Sequence, residues 1–255
     1  MSIDRDQLRQ FISDLYSDVA RFPRGDFHFP TGRALMERLG YEPAALDRVP
    51  SGALESFAGV GYHFDLAPIT PGERVLDLGS GAGSDVFVAA LGAGDAGRVT
   101  GLEMTDIMLD KARANSQKFE GAGVSFERGY LESPPFGDAS FDVIISNGVI
   151  NLTPEKPAVF AHIRRMLAPG GRLMFSDIVT GVDLPKSVRD NCELWAECIG
   201  GAMEQSAYLR MIEDAGLKIE TVKRNDQYAF TQESTKSAAN KFQVRSIGVL
   251  AYRNP

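Results

Sequence analysis

The sequence RVLDLGSGAGSD, residues 74–85, decides the fold of this chain. It contains a short apolar strand, Val75 to Leu78, and the apolar stretch Val86 to Leu91 that follows it is predicted to be a helix. Between them, Gly79, Gly81 and Gly83 allow the backbone to turn sharply and to approach a ligand with no β-carbon in the way. The exposed N–H groups of the helix start would then face that ligand. The pattern predicts a ligand site between strand and helix, as nicotinamide and flavin proteins have.

Two side chains inside this stretch narrow the kind of ligand. The carboxylate of Asp77 is poorly suited to a position beside a pyrophosphate, but it suits the cationic amino group of a bound methionine. Ser80, which lies between two of the glycines, further restricts the class of ligand that the motif indicates. Together these residues favour S-adenosylmethionine (SAM) over a dinucleotide.

The next predicted strand ends on an acidic residue. Glu103 lies about 20 residues after Gly83, the spacing at which an acid accepts hydrogen bonds from ribose hydroxyls. The alternative is that Glu103 caps a helix, since Thr105 and Asp106 precede the next apolar helical pattern. Because strand end, spacing and glycine loop coincide, the ribose interpretation is favoured.

Composition and charge exclude several classes of partner. The chain has 255 residues, of which 44% are hydrophobic, enough for a substantial core. Its formal charge of −7 argues against nucleic acid, which would favour a basic face. No apolar run approaches about 18 residues, so no membrane partner is expected, and the first residues lack the blocks of a signal peptide. The two cysteines, Cys192 and Cys198, form no disulfide framework, so the expected location is cytoplasmic.

Three segments are expected along the chain. Residues 1–70 would form an N-terminal helical lid, 71–182 a SAM-binding core, and 183–255 C-terminal helices with a closing strand pair that contribute to the acceptor pocket. Core strands are predicted at 74–79, 98–104, 124–128, 141–147 and 172–179, and core helices at 84–92, 105–119 and 155–167, the last capped by Thr153. Later helices are predicted at 187–200 and 204–215, and later strands at 218–224 and 246–252.

This alternation predicts an α/β fold. We expect a Rossmann-like, doubly wound, mostly parallel sheet of seven strands, covered on both faces, with an antiparallel C-terminal edge. Such an edge is typical of methyltransferases and unusual among dinucleotide folds. A nicotinamide oxidoreductase is the alternative that the glycine loop and Glu103 leave open, although Asp77 and the closing strand pair argue against it.

Four passages carry a family resemblance. They are ESFAGVG (55–61), VLDLGSGAGSD (75–85), ISNGVINL (145–152) followed by Lys156 and Pro157, and ELWAECIGGA (193–202). Through them the chain resembles the class I SAM-dependent methyltransferases over about residues 71–182 and, over nearly its whole length, the arsenite methyltransferase family. The resemblance implies methyl transfer from SAM to a small-molecule acceptor.

The chain departs from this family where arsenic would bind. The family holds trivalent arsenic through cysteine thiolates, and at two of the matching positions this chain has Val60 and Gly148, so only Cys198 remains. Cys192 lies about 240° from Cys198 around a helix, on another face. One thiolate cannot hold a three-coordinate metalloid as three can. The acceptor therefore stays open between a metalloid, its thiol conjugate and a small organic nucleophile.

Further residues are assigned to the cofactor site by their position after strands. Asn147 ends the fourth strand, where ligands of parallel sheets bind, although it could be a turn asparagine. Asp85 either contacts the cofactor or caps the helix after the glycine loop. The resemblance places the adenine after the third strand. The complete cofactor set is Asp77, Gly79, Ser80, Gly81, Gly83, Asp85, Glu103, Met104, Tyr130, Leu131, Glu132 and Asn147.

Catalytic candidates are fewer. Cys198 could contact the acceptor, or it could be a buried small hydrophobe. His28 and His63 lie in the predicted lid and either could act as a general base, although a loop histidine is the simpler interpretation. No spacing of histidine, cysteine and carboxylate predicts a metal site. The missing cysteines also leave open a non-catalytic protein that binds SAM or a metalloid.

Overall fold

The computed structural model describes residues 4–121, 123–189, 191, 195, 199–231 and 233–254. Before the first strand it has four helices: α1 (Arg5–Arg21), α2 (Arg33–Leu39), α3 (Pro43–Leu46) and α4 (Ser51–Leu54). The side chain of Asp4 accepts hydrogen bonds from two amides of the first turn of α1, which otherwise have no partner. None of the helices described is both long enough and apolar enough to cross a bilayer.

Strands and helices then alternate as the sequence predicts. The core elements are β1 (Arg74–Leu78), α5 (Ser84–Ala93), β2 (Arg98–Glu103), α6 (Asp106–Ser116), β3 (Val124–Arg128), β4 (Phe141–Asn147), α7 (Lys156–Met166) and β5 (Leu167–Thr180), with a 3₁₀ turn at Ile150–Leu152. The remaining elements are α8 (Lys186–Arg189), β6 (Met203–Glu204), α9 (Gln205–Asp214), β7 (Leu217–Arg224), α10 (Glu233–Phe242) and β8 (Arg245–Arg253).

One sheet organises the molecule, with the strand order β3-β2-β1-β4-β5-β8-β7 and the short β6 beside β5. All neighbours pair in parallel except β8, which runs antiparallel to both β5 and β7. The predicted α/β fold with a mostly parallel sheet is therefore confirmed. The predicted closing strand pair forms one edge of the sheet, with the antiparallel β8 on its inner side and β7 outermost.

The register of the central strands aligns their carboxyl ends. Leu78 of β1 pairs with Leu102 of β2 and with Ser146 of β4. The residues that follow each of these positions, Gly79, Glu103 and Asn147, consequently stand side by side at one edge of the sheet. This edge is where ligands bind in open α/β sheets.

Apolar side chains cover both faces of the sheet. On one face, buried residues of α2 and α5, including Met36 and Phe87, pack against β1. On the other face, Phe160 of α7 and Tyr208 of α9 pack against Phe175 of β5. Burial of large side chains of this kind contributes about 1.5–3 kcal/mol each, so both helical layers stabilise the sheet.

Several boundaries differ from the prediction. The strand predicted at 172–179 begins at Leu167, because Leu167 pairs with Phe141 before a register shift that brings Arg172 opposite Val143. Thr153 does not cap α7, which starts at Lys156; its hydroxyl instead accepts from the Glu155 amide. Helix α10 was not predicted. The helix predicted at 187–200 lies largely outside the described residues, apart from its start in α8.

Candidate active site

The turn after β1 depends on its glycines. Gly79 has φ of +75°, and a β-carbon there would lie 2.5 Å from Cγ1 of Val149, so both backbone and packing require glycine. Gly81 has φ of +53°, but its nearest neighbour would be Sδ of Met108 at 4.0 Å. The turn is thus packed against the protein at Gly79 and faces open space at Gly81.

That open space is a cavity of about 1160 Å³, counting its open mouth. It lies over the carboxyl ends of β1, β2 and β4 and is closed from above by α1 and the 56–59 segment. Ten of the twelve residues predicted to bind the cofactor line it: Asp77, Gly79, Ser80, Gly81, Asp85, Glu103, Met104, Leu131, Glu132 and Asn147.

The other two predicted cofactor residues lie elsewhere. Gly83, with φ of +96°, precedes the first residue of α5, and a β-carbon on it would lie 2.7 Å from the ring of Phe126. Its role is to let the chain turn into the helix. Tyr130 lies outside the cavity lining, with its ring under the guanidinium of Arg9. Neither Gly83 nor Tyr130 therefore lines the cavity.

Three buried carboxyl groups converge on the cavity. Asp77, Asp85 and Glu103 are 2%, 5% and 8% exposed. Among the described residues, no arginine, lysine or histidine forms an ion pair with any of them. Unpaired carboxylates are costly to bury, so the arrangement is suited to a ligand that brings positive charge.

Burial changes the acidity of all three groups. It raises the pKa of Asp77 well above the usual range, and the charges of Asp85 and Glu103 raise it further. It raises the pKa of Asp85 to about 6, against the opposing effect of hydrogen bonds from Tyr41 and Asn147. It also raises the pKa of Glu103, which backbone amides partly offset. The pKa shifts identify this as a candidate functional site.

Both carboxylate oxygens of Glu103 accept hydrogen bonds from backbone amides. One carboxylate oxygen accepts from the amide of Gly81 at 2.9 Å, and the other accepts from the amide of Thr105 at 2.7 Å. The second bond satisfies an amide at the start of α6, while the first ties β2 to the glycine turn. Each oxygen can accept one more hydrogen bond, and both belong to a side chain that lines the cavity.

Asn147 is hydrogen-bonded within the protein at both ends of its amide. Its Oδ1 accepts from the amides of Val60 at 2.8 Å and Gly61 at 3.2 Å. Its Nδ2 donates to Asp85 at 3.0 Å and also contacts the Tyr41 hydroxyl and the Gly61 carbonyl. Tyr41 in turn donates to Asp85 at 2.6 Å. Sequence reasoning missed Tyr41, because no pattern connects it with a residue 44 positions away.

The predicted histidines lie away from the cavity. His28 and His63 are buried, and neither is part of the cavity lining. Burial lowers the pKa of His28 to about 4 and that of His63 to about 3, so both are neutral at pH 7. The structure does not bring either histidine into position as a base at this cavity. Cys198 and Cys192 lie outside the described residues.

Helix α1 supplies a wall that sequence reasoning did not assign. Leu8, Ile12 and Tyr16 line the cavity from above, whereas Phe11 of the same helix is exposed. Arg9 also lines it and forms an ion pair with Glu132 at 3.4 Å. The sequence predicts a helical segment here, but which face of α1 meets a cavity depends on the tertiary structure.

The residues of the cavity fit SAM. The hydroxyl of Ser80 is buried at the cavity wall without a hydrogen-bond partner in the described chain, so it has capacity for a ligand. The buried carboxylates suit a sulfonium and an ammonium group, and Glu103 can accept from ribose hydroxyls. In the described ranges, no group of three histidine, cysteine or acidic side chains could hold a metal ion.

Comparisons with known proteins agree with this geometry. A family model described as a methyltransferase domain matches residues 69–216. Arsenite methyltransferase from Halobacterium salinarum is 39% identical over 191 residues, which cover 75% of this chain and 49% of that protein. Arsenite methyltransferase from Aquipseudomonas alcaligenes is 45% identical over 139 residues, which cover 52% of this chain and 40% of that protein. This chain thus spans about half or less of these relatives.

A solved structure is similar over most of the chain. The crystal structure of an arsenic (III) S-adenosylmethionine methyltransferase from Chlamydomonas reinhardtii superposes with a TM-score of 0.65 and 28% identity. The match covers 88% of this chain and 74% of that one.

Proposed function

Because this chain belongs to the class I SAM-dependent methyltransferases, in the branch that resembles the arsenite methyltransferases, we propose that it methylates a small nucleophilic molecule. The observation that carries the proposal is the convergence of Asp77, Asp85 and Glu103 on one cavity beside the glycine turn. A site with three buried acids and no ion pair to them in the described chain favours a cationic ligand over a pyrophosphate.

Different lining residues would contact different parts of the cofactor. Glu103 would accept hydrogen bonds from the ribose hydroxyls, and Asp77 would face the ammonium group. Gly81 allows close approach, since no β-carbon intervenes at that point. Met104 and Leu131 would pack against the adenine, which needs apolar neighbours. When bound, SAM supplies an electrophilic methyl group on a sulfonium ion.

The protein's contribution is alignment and exclusion of water. An acceptor must approach in line with the reacting bond, and holding two reactants in that geometry is worth several kcal/mol. We propose that residues 1–70 act as a lid over the 71–182 core and that residues 183–255 complete the acceptor pocket. Ion pairs from Arg5 to Glu155 and from Arg9 to Glu132 support this, because they fasten α1 over the cavity.

The acceptor side lies beside Val60. Val60 is buried in an apolar cluster with Leu152, Trp195 and Ile199, and Leu152 also lines the cavity. The matching position of arsenite methyltransferases carries a thiolate by the family resemblance, and Gly148 beside it has no side chain. An apolar wall favours an organic nucleophile, or arsenic that arrives as a thiol conjugate, over free arsenite. The cytoplasm is the location we propose for the reaction.

Calorimetry with the purified chain tests the cofactor assignment. SAM and S-adenosylhomocysteine should bind, while NAD and NADP should bind negligibly; the reverse preference would exclude a methyltransferase. A panel of arsenite, arsenite–glutathione and phenolic, amine and thiol acceptors, assayed for S-adenosylhomocysteine release, then identifies the acceptor class. Cofactor binding without turnover on any acceptor would indicate a non-catalytic binding protein.

A further inference from the structure

The side chain of Asn147 joins the two sides of the proposed active site. Its Oδ1 holds the amides of Val60 and Gly61, and its Nδ2 meets Asp85. The amide is planar, so its two ends cannot turn independently. A change in the position of the Asp85 carboxylate therefore acts on the same rigid group that holds the 60–61 backbone.

The segment held by Asn147 is closely fitted to it. A β-carbon on Gly59 would lie 2.6 Å from Cγ of Asn147, and one on Gly61 would lie 2.2 Å from Nδ2 of Asn225. From the other side, the hydroxyl of Ser246 donates to the Val60 carbonyl at 2.7 Å. The segment is thus fixed by hydrogen bonds from Asn147 on one side and from Ser246 on the other.

Asp85 is also held by Tyr41, whose hydroxyl contacts Asn147 as well. Tyr41 donates to its Oδ1, whereas Asn147 donates to its Oδ2. Each carboxylate oxygen can accept one further hydrogen bond, and Asp85 lines the cavity. A cation in the cavity would favour the charged carboxylate, which accepts a stronger hydrogen bond from Asn147.

We propose that Asn147 is a positioning residue that couples Asp85 on the cofactor side to residues 59–61 on the acceptor side. Filling the cofactor site then orders the acceptor wall, and by linkage a bound acceptor raises the affinity for the cofactor. The inference rests on the proposed function, since it takes Asp85 to face the cofactor and Val60 to face the acceptor. It assigns Asn147 a role other than contact with the cofactor.

Amide hydrogen exchange tests the coupling without an activity assay. Peptides that cover residues 59–61 are followed by mass spectrometry in the full chain, with and without saturating S-adenosylhomocysteine. In the wild type, the ligand should slow exchange at Val60 and Gly61 by roughly threefold to tenfold, the scale of one stabilised hydrogen bond. The ligand should not slow it in Asn147→Asp, whose second oxygen repels Asp85 while the first still accepts both amides.

Two further variants separate coupling from loss of structure. Asp85→Asn leaves the hydrogen bonds from the amides of residues 60 and 61 to Asn147 intact, but it should abolish the ligand-dependent slowing of exchange. This variant also tests the coupling if Asn147→Asp does not fold. The reciprocal double variant Asp85→Asn with Asn147→Asp restores an amide–carboxylate pair and should recover part of the effect. Glu127→Ala is the control, because this exposed glutamate of β3 lies outside the cavity lining and the variant should keep the slowing.

The outcomes distinguish this inference from the proposed function. If S-adenosylhomocysteine binds the wild type but leaves exchange at residues 59–61 unchanged, the coupling is wrong and the methyltransferase proposal stands. Unaltered slowing in both Asn147→Asp and Asp85→Asn would also overturn the coupling. If S-adenosylhomocysteine does not bind to the wild type at all, the proposed function itself fails.

Discussion

A β-carbon on Gly148 would lie 3.0 Å from Cγ1 of Val60. These are the two positions at which the arsenite methyltransferase resemblance expects thiolates, and they are neighbours in this structure. Neither member of this neighbouring pair carries sulfur. Gly148 also has φ of +75°, where side chains are disfavoured.

Arsenite should accordingly be a poor substrate of the wild type. Val60→Cys should increase arsenite binding, because a thiolate is the ligand that a soft metalloid prefers. Val60→Thr, similar in size and without sulfur, is the control and should not. Arsenic retained after desalting and methylated arsenic formed are both measured. Robust methylation by the wild type that survives Cys198→Ser would show instead that arsenic arrives as a preformed thiol conjugate.

Adding the second cysteine should cost stability. Gly148→Cys places a side chain in the left-handed region, which costs about 1–2 kcal/mol for residues other than glycine. Gly148→Ala carries the same strain without sulfur, so the two variants should lose similar stability in urea unfolding. Comparing arsenite binding by Val60→Cys/Gly148→Cys with that by Val60→Cys/Gly148→Ala then isolates the second thiol. Wild-type stability in Gly148→Ala would contradict the strain argument.

The ligand-free protein should become more stable when Asp77 loses its charge. The pKa of Asp77 is raised in the folded state, so its contribution to stability is complete below the unfolded pKa and declines as pH rises toward the folded pKa. Asp77→Asn should therefore be more stable than the wild type, with a larger gain at pH 8 than at pH 5. Thermal melting at both values measures the gain, and calorimetry should show weaker cofactor binding. Equal gains at both pH values would contradict a titrating Asp77.

Cofactor affinity should fall in acid. Asp85 has a pKa raised to about 6 in the empty site, so below pH 6 its proton must leave before it can face a cation. Affinity for SAM should drop there by about tenfold per pH unit for each proton that must be released, from Asp85 and from Asp77, whose pKa is also raised. Calorimetry in two buffers of different ionisation enthalpy at pH 5.5 should report the released proton. A flat profile in the wild type would exclude this linkage.

Loss of Glu103 should weaken cofactor binding. Glu103→Ala removes the acceptor at the end of β2, and we expect a loss of about 1.5–3 kcal/mol for hydrogen bonds to a charged group. Glu127→Ala is the matched control, since Glu127 is an exposed glutamate on the neighbouring strand β3. Unchanged affinity of Glu103→Ala for S-adenosylhomocysteine would limit Glu103 to its bonds with Gly81 and Thr105.

Lys156 should matter for stability although it does not line the cavity. Its ammonium is buried, donates to the carbonyls of Asn151 and Thr153, and lies 4.8 Å from the centre of the Trp195 ring. Burial lowers the pKa of Lys156 to about 7, against the attraction of Asp177. Lys156→Met should destabilise the chain by about 1–3 kcal/mol, because it removes the donor to the carbonyls of Asn151 and Thr153.

Trp195 offers a direct readout of that prediction, since it is the single tryptophan of the chain. Urea unfolding followed by its fluorescence measures the loss, and emission of the folded Lys156→Met variant should differ from that of the wild type. Asp177→Asn combined with Lys156→Met should be less destabilised than the sum of the single variants. Simple additivity would mean that the two groups do not interact.

The fold could be predicted from sequence because its signals are local. The apolar run at Val75–Leu78, the glycine turn and the alternation of strands with helices set the order of the elements, and all five core strands were found. The start of β5 could not be found, since the pairing of Leu167 with Phe141 depends on the partner strand. The middle position of β8 follows from tertiary packing rather than from its own sequence.

The site could be predicted best where polar or acidic residues lie at the ends of predicted strands. Asp77, Glu103 and Asn147 end predicted strands, so parallel register alone placed them together. Gly83 and Tyr130 belong to the same loops, but Gly83 lies at the start of α5 and Tyr130 lies outside the cavity lining. The contact of Tyr41 with Asp85 joins distant segments and has no local signature.

The position of β8 also bears on how the chain is made. Residues 245–253 form the last strand in the described chain, yet they fill a gap between β5 and β7 and pair with both along nearly their whole length. During synthesis on the ribosome, one edge of β5 therefore stays unpaired until β8 has left the exit tunnel. An unpaired edge of this kind is a site for aggregation, so nascent chains that stall before residue 245 should depend on chaperones.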